Sequence, residues 1–255
     1  MGVRDEVKRR VFLFDLGRGA FAVAVLGVTA LACDSGARQD DPSGGPAPGS
    51  GPDPTTVGDG AVSYERVSLG FVSAYILSRG EEAAVVDTGV GGSAPQIEAG
   101  LAAVGLSWDA VAHVILTHLH ADHIGSLGDV MAAAPSATGY AGLGDIDQIA
   151  SPRPLVAVGD ADRVFGLRII DTPGHTPGHI CVLDPVGGLL VAGDALIGAG
   201  GGVAGPNPQF TSDLATAHES VKKLATLGFE VALFGHGEPV EAGASTAVAE
   251  LAAGL

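Results

Sequence analysis

The sequence predicts an α/β domain over residues 61–255, because short apolar runs of strand length alternate there with stretches of helical periodicity. Five of these apolar runs end in, or lead directly to, an aspartate or a histidine. Ligands of layered α/β folds bind outside the carboxyl ends of the strands. We therefore expect the five strand ends to line one cleft on a rigid scaffold.

The strands and helices follow from the spacing of apolar residues and from the turn residues between them. We expect strands over residues 62–68, 71–77, 83–86, 112–116, 163–170, 180–183, 188–192 and 231–234. We expect helices over residues 94–104, 122–134, 144–149, 212–227 and 243–253. The helix at 212 is the best marked, because Thr211 or Ser212 can act as its N-cap and Gly228 follows its end.

Residues 1–33 have the features of an export signal. The segment begins with basic residues, and residues 20–32 form an uncharged apolar run that is shorter than the roughly 20 residues of a membrane-spanning helix. Arg9 and Arg10, followed by an apolar segment, resemble a twin-arginine export signal. An ordinary secretory signal with a chance arginine pair is the alternative interpretation.

The apolar run ends at Ala32 and Cys33, and two interpretations stay open. The pattern resembles a lipobox, in which Cys33 is lipidated, and it also fits simple cleavage after Ala32. Residues 34–60 are rich in Gly, Pro, Ser and Asp, so we expect a disordered linker there. We expect an exported protein that is either anchored through Cys33 to the outer or periplasmic side of the cell membrane or secreted.

The overall charge of −16 disfavours nucleic acid as a substrate, since an acidic surface repels phosphate backbones. For the same reason we expect membrane contact only through the lipid anchor. The two cysteines, Cys33 and Cys181, do not imply a disulfide framework. Cys181 lies in a predicted strand, where we expect it to be a buried apolar filler.

The segment His118-Leu119-His120-Ala121-Asp122-His123 is the strongest chemical signal in the chain. Residues two apart in extended backbone point the same way, so His118 and His120 can hold one metal ion together. A helix that starts after them would turn Asp122 and His123 toward a second ion. A polar surface loop is the simpler interpretation, but so dense a set of ligand residues disfavours it.

Three further strand ends supply ligand residues. Prolines and glycines in residues 172–179 fix a tight path that directs His175 inward, whereas His179 is expected to support a ligand rather than to bind metal. Asp194 offers a carboxylate that can bridge two cations, and His236 offers another imidazole. Each of the last two is a weak signal alone, and only their position at strand ends makes them ligand candidates.

Together these segments resemble the metallo-β-lactamase superfamily, over about residues 62–255. The resemblance implies an αββα sandwich with two metal ions at one edge of the packed sheets. It implies one ion bound by His118, His120 and His175, the other bound by Asp122, His123 and His236, and Asp194 and a hydroxide between the two. Asp87 matches a carboxylate that the family keeps near the site, and we expect it to orient a ligand histidine.

The expected cofactor is a pair of Zn²⁺ ions, with iron or manganese as alternatives, because these ligands suit several metals. Zinc lowers the pKa of bound water to about 7, so a hydroxide held between two ions can attack a carbonyl carbon. We expect Asp122 to orient this nucleophile and to accept its proton. The chain contains no serine-nucleophile motif of the form Gly-x-Ser-x-Gly.

The resemblance also narrows the substrate. A bridging aspartate such as Asp194 is a feature of glyoxalase II-like thioesterases and of lactonases, and not of true β-lactamases. We therefore expect a small acyl substrate: an ester, thioester or lactone. The 19 residues after His236 contain no Lys or Arg, which argues against glutathione thioesters. The alternatives are a mononuclear iron oxygenase of the persulfide dioxygenase kind, a true β-lactamase and a non-catalytic metal-binding lipoprotein.

Two features outside the motifs bear on substrate access. The glycine-rich residues 198–205 are either a lid over the site or an ordinary connector. Phe210 and Tyr140 are either walls of a substrate pocket or packing residues, and packing is the usual role of such side chains.

Overall fold

The computed structural model describes residues 60–255. The export signal of residues 1–33, with its Cys33, and the linker up to residue 59 lie outside the described residues and stay predictions. None of the helices that residues 60–255 form combines the length and the apolar character needed to cross a membrane.

The first of two main sheets has six strands in chain order. They are β1 (Ser63–Ser68), β2 (Ser73–Arg79), β3 (Glu82–Val86), β4 (Val111–Leu116), β5 (Thr138–Gly142) and β6 (Leu155–Val158). Strands β1 to β3 pair antiparallel, whereas β3 to β6 pair parallel. The carboxyl ends of β3 and β4 therefore lie at the same edge of the sheet.

The second sheet has five strands in the order β13-β10-β9-β8-β7. They are β7 (Arg163–Val164), β8 (Leu167–Asp171), β9 (Ile180–Asp184), β10 (Leu189–Val191) and β13 (Val231–Leu233). Strand β9 runs antiparallel to both β8 and β10, and β10 runs parallel to β13. Hence β8, β10 and β13 point the same way. A separate hairpin consists of β11 (Ile197–Ala199) and β12 (Gly202–Ala204).

Helices cover the outer faces of both sheets. They are α1 (Ala94–Ala103), α2 (Ala121–Ile124), α3 (Leu127–Ala133), α4 (Leu214–Leu224) and α5 (Ala244–Ala253). Strand β4 shows how the layers are built, since Ile115 points into the core between the sheets while Val114 and Leu116 point into the core shared with α1 and α3. In β9, Val182 faces the other sheet and Cys181 faces the core shared with α4 and α5. The predicted αββα sandwich is confirmed.

Three expected elements are shorter or more broken than the sequence suggested. The strand over 163–170 is a hairpin of β7 and β8, because Phe165 and Gly166 both have positive φ. The helix over 122–134 is split into α2 and α3 at Gly125, where an added Cβ would lie 2.5 Å from the backbone nitrogen of Gly91. The helix over 144–149 is only a 3₁₀ turn at Ile146–Gln148.

The prediction that Thr211 or Ser212 caps the helix at 212 was wrong. Helix α4 starts at Leu214, and Asp213 caps it by accepting a hydrogen bond from the backbone N–H of Thr216 at 3.0 Å. The two predicted caps have other partners, because the Ser212 hydroxyl donates to the Gly174 carbonyl and the Thr211 hydroxyl donates to the Asn207 carbonyl.

The glycine-rich segment over 198–205 forms most of the β11–β12 hairpin. Its Gly198 N–H donates to the carbonyl of His236 at 3.0 Å, so the hairpin is attached to the loop after β13. Tyr140 packs in the core between the sheets, and its hydroxyl lies 3.3 Å from Nδ1 of His113. Phe210 is 64% exposed beside the site described next.

Candidate metal centre

The seven predicted ligand residues meet at one edge of the two sheets. They follow β4, β8, β10 and β13, whose carboxyl ends the topology brings together, and Asp87 follows β3 at the same edge. Three groups of potential ligand residues can be defined, and in each group the ligand atoms lie within 4.8 Å of one another. Some residues belong to two of the groups. The groups are His118, His120 and His175; His118, His123 and Asp194; and Asp122, His123 and His236.

The first set of ligands consists of three imidazoles. The Nδ1 atom of His120 lies 3.0 Å from Nε2 of His118 and 3.0 Å from Nε2 of His175. His118 and His175 are buried, and His120 is half-buried at the edge of the set. Three nitrogens that converge in this way match the three-histidine arrangement that holds zinc.

The second set lies beside the first. Nε2 of His236 is 3.3 Å from Oδ2 of Asp122, and Nε2 of His123 is 3.8 Å from the same oxygen. Asp122 and His123 lie in helix α2, two and three residues after His120. The short turn after β4 thus supplies ligand atoms to both sets, as the motif predicted.

Asp194 lies between the two sets. Its Oδ1 atom is 3.3 Å from Nε2 of His123, while its Oδ2 atom is 3.5 Å from Nε2 of His175 and 3.2 Å from Nε2 of His236. The carboxylate therefore contacts histidines of both sets at once. This is the position from which one carboxylate can bridge two cations.

Hydrogen bonds on the far side of the rings fix which nitrogen of His118 and of His123 faces the centre. Asp87 accepts hydrogen bonds from the backbone N–H of Thr117, from the Thr117 hydroxyl and from Nδ1 of His123, at 2.7, 2.7 and 2.8 Å. The Thr117 oxygen in turn lies 3.1 Å from Nδ1 of His118. Since both Nδ1 atoms are donors, both Nε2 atoms carry lone pairs toward the centre.

The same arrangement holds for His175 and His236. The Thr211 hydroxyl donates to the Asn207 carbonyl, so its oxygen can accept from Nδ1 of His175 at 3.2 Å. Nδ1 of His236 donates to the carbonyl of Phe71 at 2.7 Å. The carbonyl of Phe71 and the hydroxyls of Thr117 and Thr211 are supporting groups that the sequence analysis did not assign.

His179 does not offer a free nitrogen to the centre. Its Nε2 accepts a hydrogen bond from the backbone N–H of Asp194 at 3.0 Å, and its Nδ1 lies 2.8 Å from the Thr172 hydroxyl. Burial lowers the pKa of His179 to about 3, which keeps the ring neutral and Nε2 an acceptor. His179 therefore positions the backbone of Asp194, in line with the supporting role expected for it.

The histidines of the centre differ in protonation state, because burial favours the neutral ring and hydrogen bonds to carboxylates favour the protonated ring. Burial lowers the pKa of His118 well below its usual value and lowers the pKa of His175 to about 4, so both rings are neutral. Hydrogen bonds to Asp122 and Asp194 instead raise the pKa of His236 to about 10. The hydrogen bond with His236 in turn lowers the pKa of Asp122 to about 2. A cation that binds here would displace the proton of His236.

Two ligand atoms give the clearest indication that a cation belongs in the centre. Nε2 of His123 and Oδ1 of Asp194 are buried and have no hydrogen-bond partner within residues 60–255. An unsatisfied buried polar atom costs about 1–3 kcal/mol, and more when it is charged. A cation between these atoms satisfies both, so the residues fit a divalent metal ion.

Glycine is required where the backbone passes the ligands. A Cβ added to Gly235 would lie 2.2 Å from Oδ1 of Asp194 and 2.5 Å from Cε1 of His123. Gly193 has a φ of +50°, and a Cβ there would lie 2.7 Å from Nε2 of His179. The ligand loops therefore pack directly against the ligand side chains.

Asp145 is a residue of the centre that the sequence analysis missed. Its buried carboxylate accepts hydrogen bonds from the N–H of Leu119 at 3.0 Å, the hydroxyl of Thr176 at 2.6 Å and the N–H of Gly178 at 2.6 Å. It thereby joins the loop of His118 and His120 to the loop of His175. The signal was present, since Asp145 follows an apolar strand, but that strand, β5, was not predicted.

Residues 67–236 match the sequence model of the metallo-beta-lactamase superfamily. This is well over half of the chain, so the chain belongs to that superfamily.

Two relatives of known activity class agree with this assignment. The chain is 33% identical to a thioesterase, pkgB, of Emericella nidulans over 68% of its own length and 48% of that protein. It is 34% identical to a hydroxyacylglutathione hydrolase of Rhodospirillum rubrum over 53% of its own length and 51% of that protein. The chain thus spans about half the length of these two relatives. Both of these relatives carry the names of hydrolases.

Solved structures show the same fold. A metallo-beta-lactamase family protein from Thermus thermophilus is 25% identical and superposes with a TM-score of 0.61, over 76% of this chain and 79% of that one. The protein TTHA1623, solved in a di-iron-bound form, is 26% identical with a TM-score of 0.57, over 68% of this chain and 92% of that one.

We predict that Gly235→Ala weakens zinc binding at least about tenfold, because the new methyl group displaces Asp194 and His123. Zinc affinity is measured by competition with a chromogenic chelator. The matched control is Gly128→Ala in α3, where an added Cβ meets nothing within 4 Å. The control should bind zinc normally and gain up to about 1 kcal/mol of stability. Normal zinc affinity in Gly235→Ala would contradict the described packing.

We predict that Asp145→Asn lowers zinc affinity by roughly 10- to 100-fold, because an amide nitrogen would face N–H or hydroxyl donors and loosen both histidine loops. The exposed Asp147→Asn, two residues away, loses the same charge without these contacts and should bind zinc like the unchanged chain. Equal affinities for the two variants would show that Asp145 does not position the ligands.

Proposed function

We propose that this chain is an exported hydrolase that uses two divalent metal ions, zinc in the first instance, to cleave an ester, thioester or lactone. The observation that carries the proposal is the position of Asp194, whose two oxygens face histidines of both ligand sets. When bound, the two ions supply a shared hydroxide as nucleophile and Lewis acidity toward the substrate carbonyl.

The protein's part in the reaction is to hold this centre and to move a proton. Asp122 is the ligand with the most open carboxylate, since 26% of its side chain is exposed whereas that of Asp194 is 9% exposed. The pKa of about 2 keeps Asp122 ionised at neutral pH, so its carboxylate can orient water by accepting a hydrogen bond from it. We propose that Asp122 also relays the proton of this water. In the net reaction the oxygen of water bonds to the acyl carbon, the C–O or C–S bond breaks, and the proton ends on the leaving oxygen or sulfur.

The only thiol in residues 60–255 does not suit a nucleophilic role. Cys181 is completely buried, its sulfur lies 3.2 Å from the Thr172 hydroxyl, and it donates to the Ala192 carbonyl. Burial raises the pKa of its thiol to about 12, so little thiolate is present at neutral pH. A hydrolase built on these residues therefore depends on activated water.

The names of the relatives support an acyl substrate. The similar proteins are described as a thioesterase, a hydroxyacylglutathione hydrolase and an acyl-carrier-protein thioesterase of Aspergillus fumigatus. The bridging position of Asp194 favours the same class over β-lactams by the family resemblance. Export rests on the sequence of residues 1–33, and anchoring rests on Cys33.

We predict that the zinc-loaded full chain hydrolyses members of an ester, thioester and lactone panel faster than β-lactams. His120→Ala and Asp194→Asn should each lower kcat/KM by at least about 100-fold, since each removes a ligand that holds the nucleophile. His218→Ala in α4, outside the centre, serves as the matched histidine control and should leave kcat/KM unchanged. Turnover is followed by release of the leaving group together with metal analysis.

Two results would contradict the proposal. If neither ester, thioester nor lactone is hydrolysed, the chain is a metal-binding protein without this activity. If the active form holds one iron per chain and consumes oxygen, the reaction is an oxygenation rather than a hydrolysis.

A further inference from the structure

A cleft of about 400 Å³ opens beside the first ligand set. His120 and His175 belong to the first ligand set and also line this cleft, so a molecule bound in it lies next to the metal centre. Leu119, Pro177 and Phe210 provide its apolar surface, and the rest of the lining is neutral and polar: Gln148, Thr176, Gln209, Thr211 and Ser212. The volume is in the range of small-molecule sites, which is about 300–1,000 Å³.

Phe210, which lines this cleft, lies on a turn that several hydrogen bonds stabilise. Asn207 organises the turn, since its carbonyl accepts from the N–H of Phe210 at 3.1 Å and from the hydroxyl of Thr211 at 2.7 Å. The next residue, Ser212, donates its N–H to the carbonyl of His175 at 3.1 Å. The ring of Phe210 is 64% exposed and lines the cleft, so it is available to contact a molecule that binds there.

Apart from the metal centre itself, the described residues that line the cleft offer no cationic side chain to an anionic substrate. None of the seven Lys and Arg side chains in residues 60–255 lines it. Arg66, which reaches the loop of His236, is already bonded to Ser73, Gly237 and Glu238. The nearby N-terminus of α4 is also occupied, because Asp213 caps it with its own carboxylate. A phosphate or carboxylate in the cleft would find no partner for its charge among these residues.

We propose that the cleft binds the acyl portion of the substrate, and that this portion is an uncharged, mainly apolar chain packed against Phe210, Leu119 and Pro177. This inference rests on the proposed hydrolase function. It places the scissile carbonyl at the His120 and His175 end of the cleft and the tail of the acyl chain along the ring of Phe210. It disfavours acyl groups that carry a phosphate or a carboxylate.

The test is a matched series of nitrophenyl esters with the zinc-loaded full chain. From acetate through butyrate and hexanoate to octanoate, kcat/KM should rise by about two- to fourfold for each methylene that enters the cleft. The adipate monoester has the same acyl length as hexanoate but ends in a carboxylate. It should be cleaved at least about tenfold less well than hexanoate, since burying an unpaired charge is costly.

Two variants connect this selectivity to Phe210. Phe210→Ala should lower the ratio of kcat/KM for octanoate over acetate by at least about fivefold, and Phe210→Leu should retain most of that ratio, because it keeps an apolar side chain. Val186→Ala removes another exposed apolar side chain, away from the cleft, and should change neither rate. Both positions are exposed, so the three variants should fold normally.

The outcomes separate this inference from the proposed function. Hydrolysis without dependence on chain length, a preference for the adipate monoester, or an unchanged ratio in Phe210→Ala would each overturn the inference while the hydrolase activity stands. Failure to cleave any ester, thioester or lactone would overturn both.

Discussion

The carboxylate of Asp194 is the constraint on which the rest of the centre depends. Its side chain is only 9% exposed and faces nitrogens of His123, His175 and His236 at 3.2–3.5 Å. A buried carboxylate is expensive unless a cation or several donors compensate it. The molecule directs imidazole nitrogens from three separate strand ends at this one group. Two cations placed between them would satisfy every one of these atoms.

Local contacts around Asp194 and the histidines stabilise this arrangement of side chains. The backbone of Asp194 is held by His179, and Gly193 and Gly235 let two loops approach without a Cβ in the way. Asp87 adopts a φ of 61°, a conformation that costs a non-glycine residue about 1–2 kcal/mol, and three hydrogen bonds to its carboxylate hold it there. Rigid sheets and these local contacts place the ligands before any metal binds.

The sequence was informative about the candidate ligands because each segment that carries them comes soon after an apolar run, as the segment of His118 follows β4 and that of His236 follows β13. Parallel strands then bring such residues to one edge. Strand β5 was missed because its glycines read as turn residues. They serve close packing instead, since a Cβ on Gly139 would lie 2.5 Å from the Leu155 side chain and one on Gly142 would lie 2.0 Å from the Gly178 carbonyl. Because that strand was not predicted, Asp145 was not recognised as a residue at a strand end.

The N-cap of α4 was missed for a related reason. Thr211, Ser212 and Asp213 can all cap a helix, and the sequence does not show that two of them are bonded to other loops. Tertiary partners of this kind decide loop geometry, and loops form the cleft beside the metal centre. The convergence of the candidate ligands could therefore be predicted from local patterns, whereas the neighbouring cleft could be described only from the structure.

The most direct test is an anomalous diffraction measurement on crystals of the zinc-loaded protein. The account predicts two zinc peaks about 3.5–4 Å apart. One should lie within about 2.0–2.2 Å of nitrogens of His118, His120 and His175, and both should contact Asp194. A single peak, or Asp194 outside coordination distance of both ions, would contradict it.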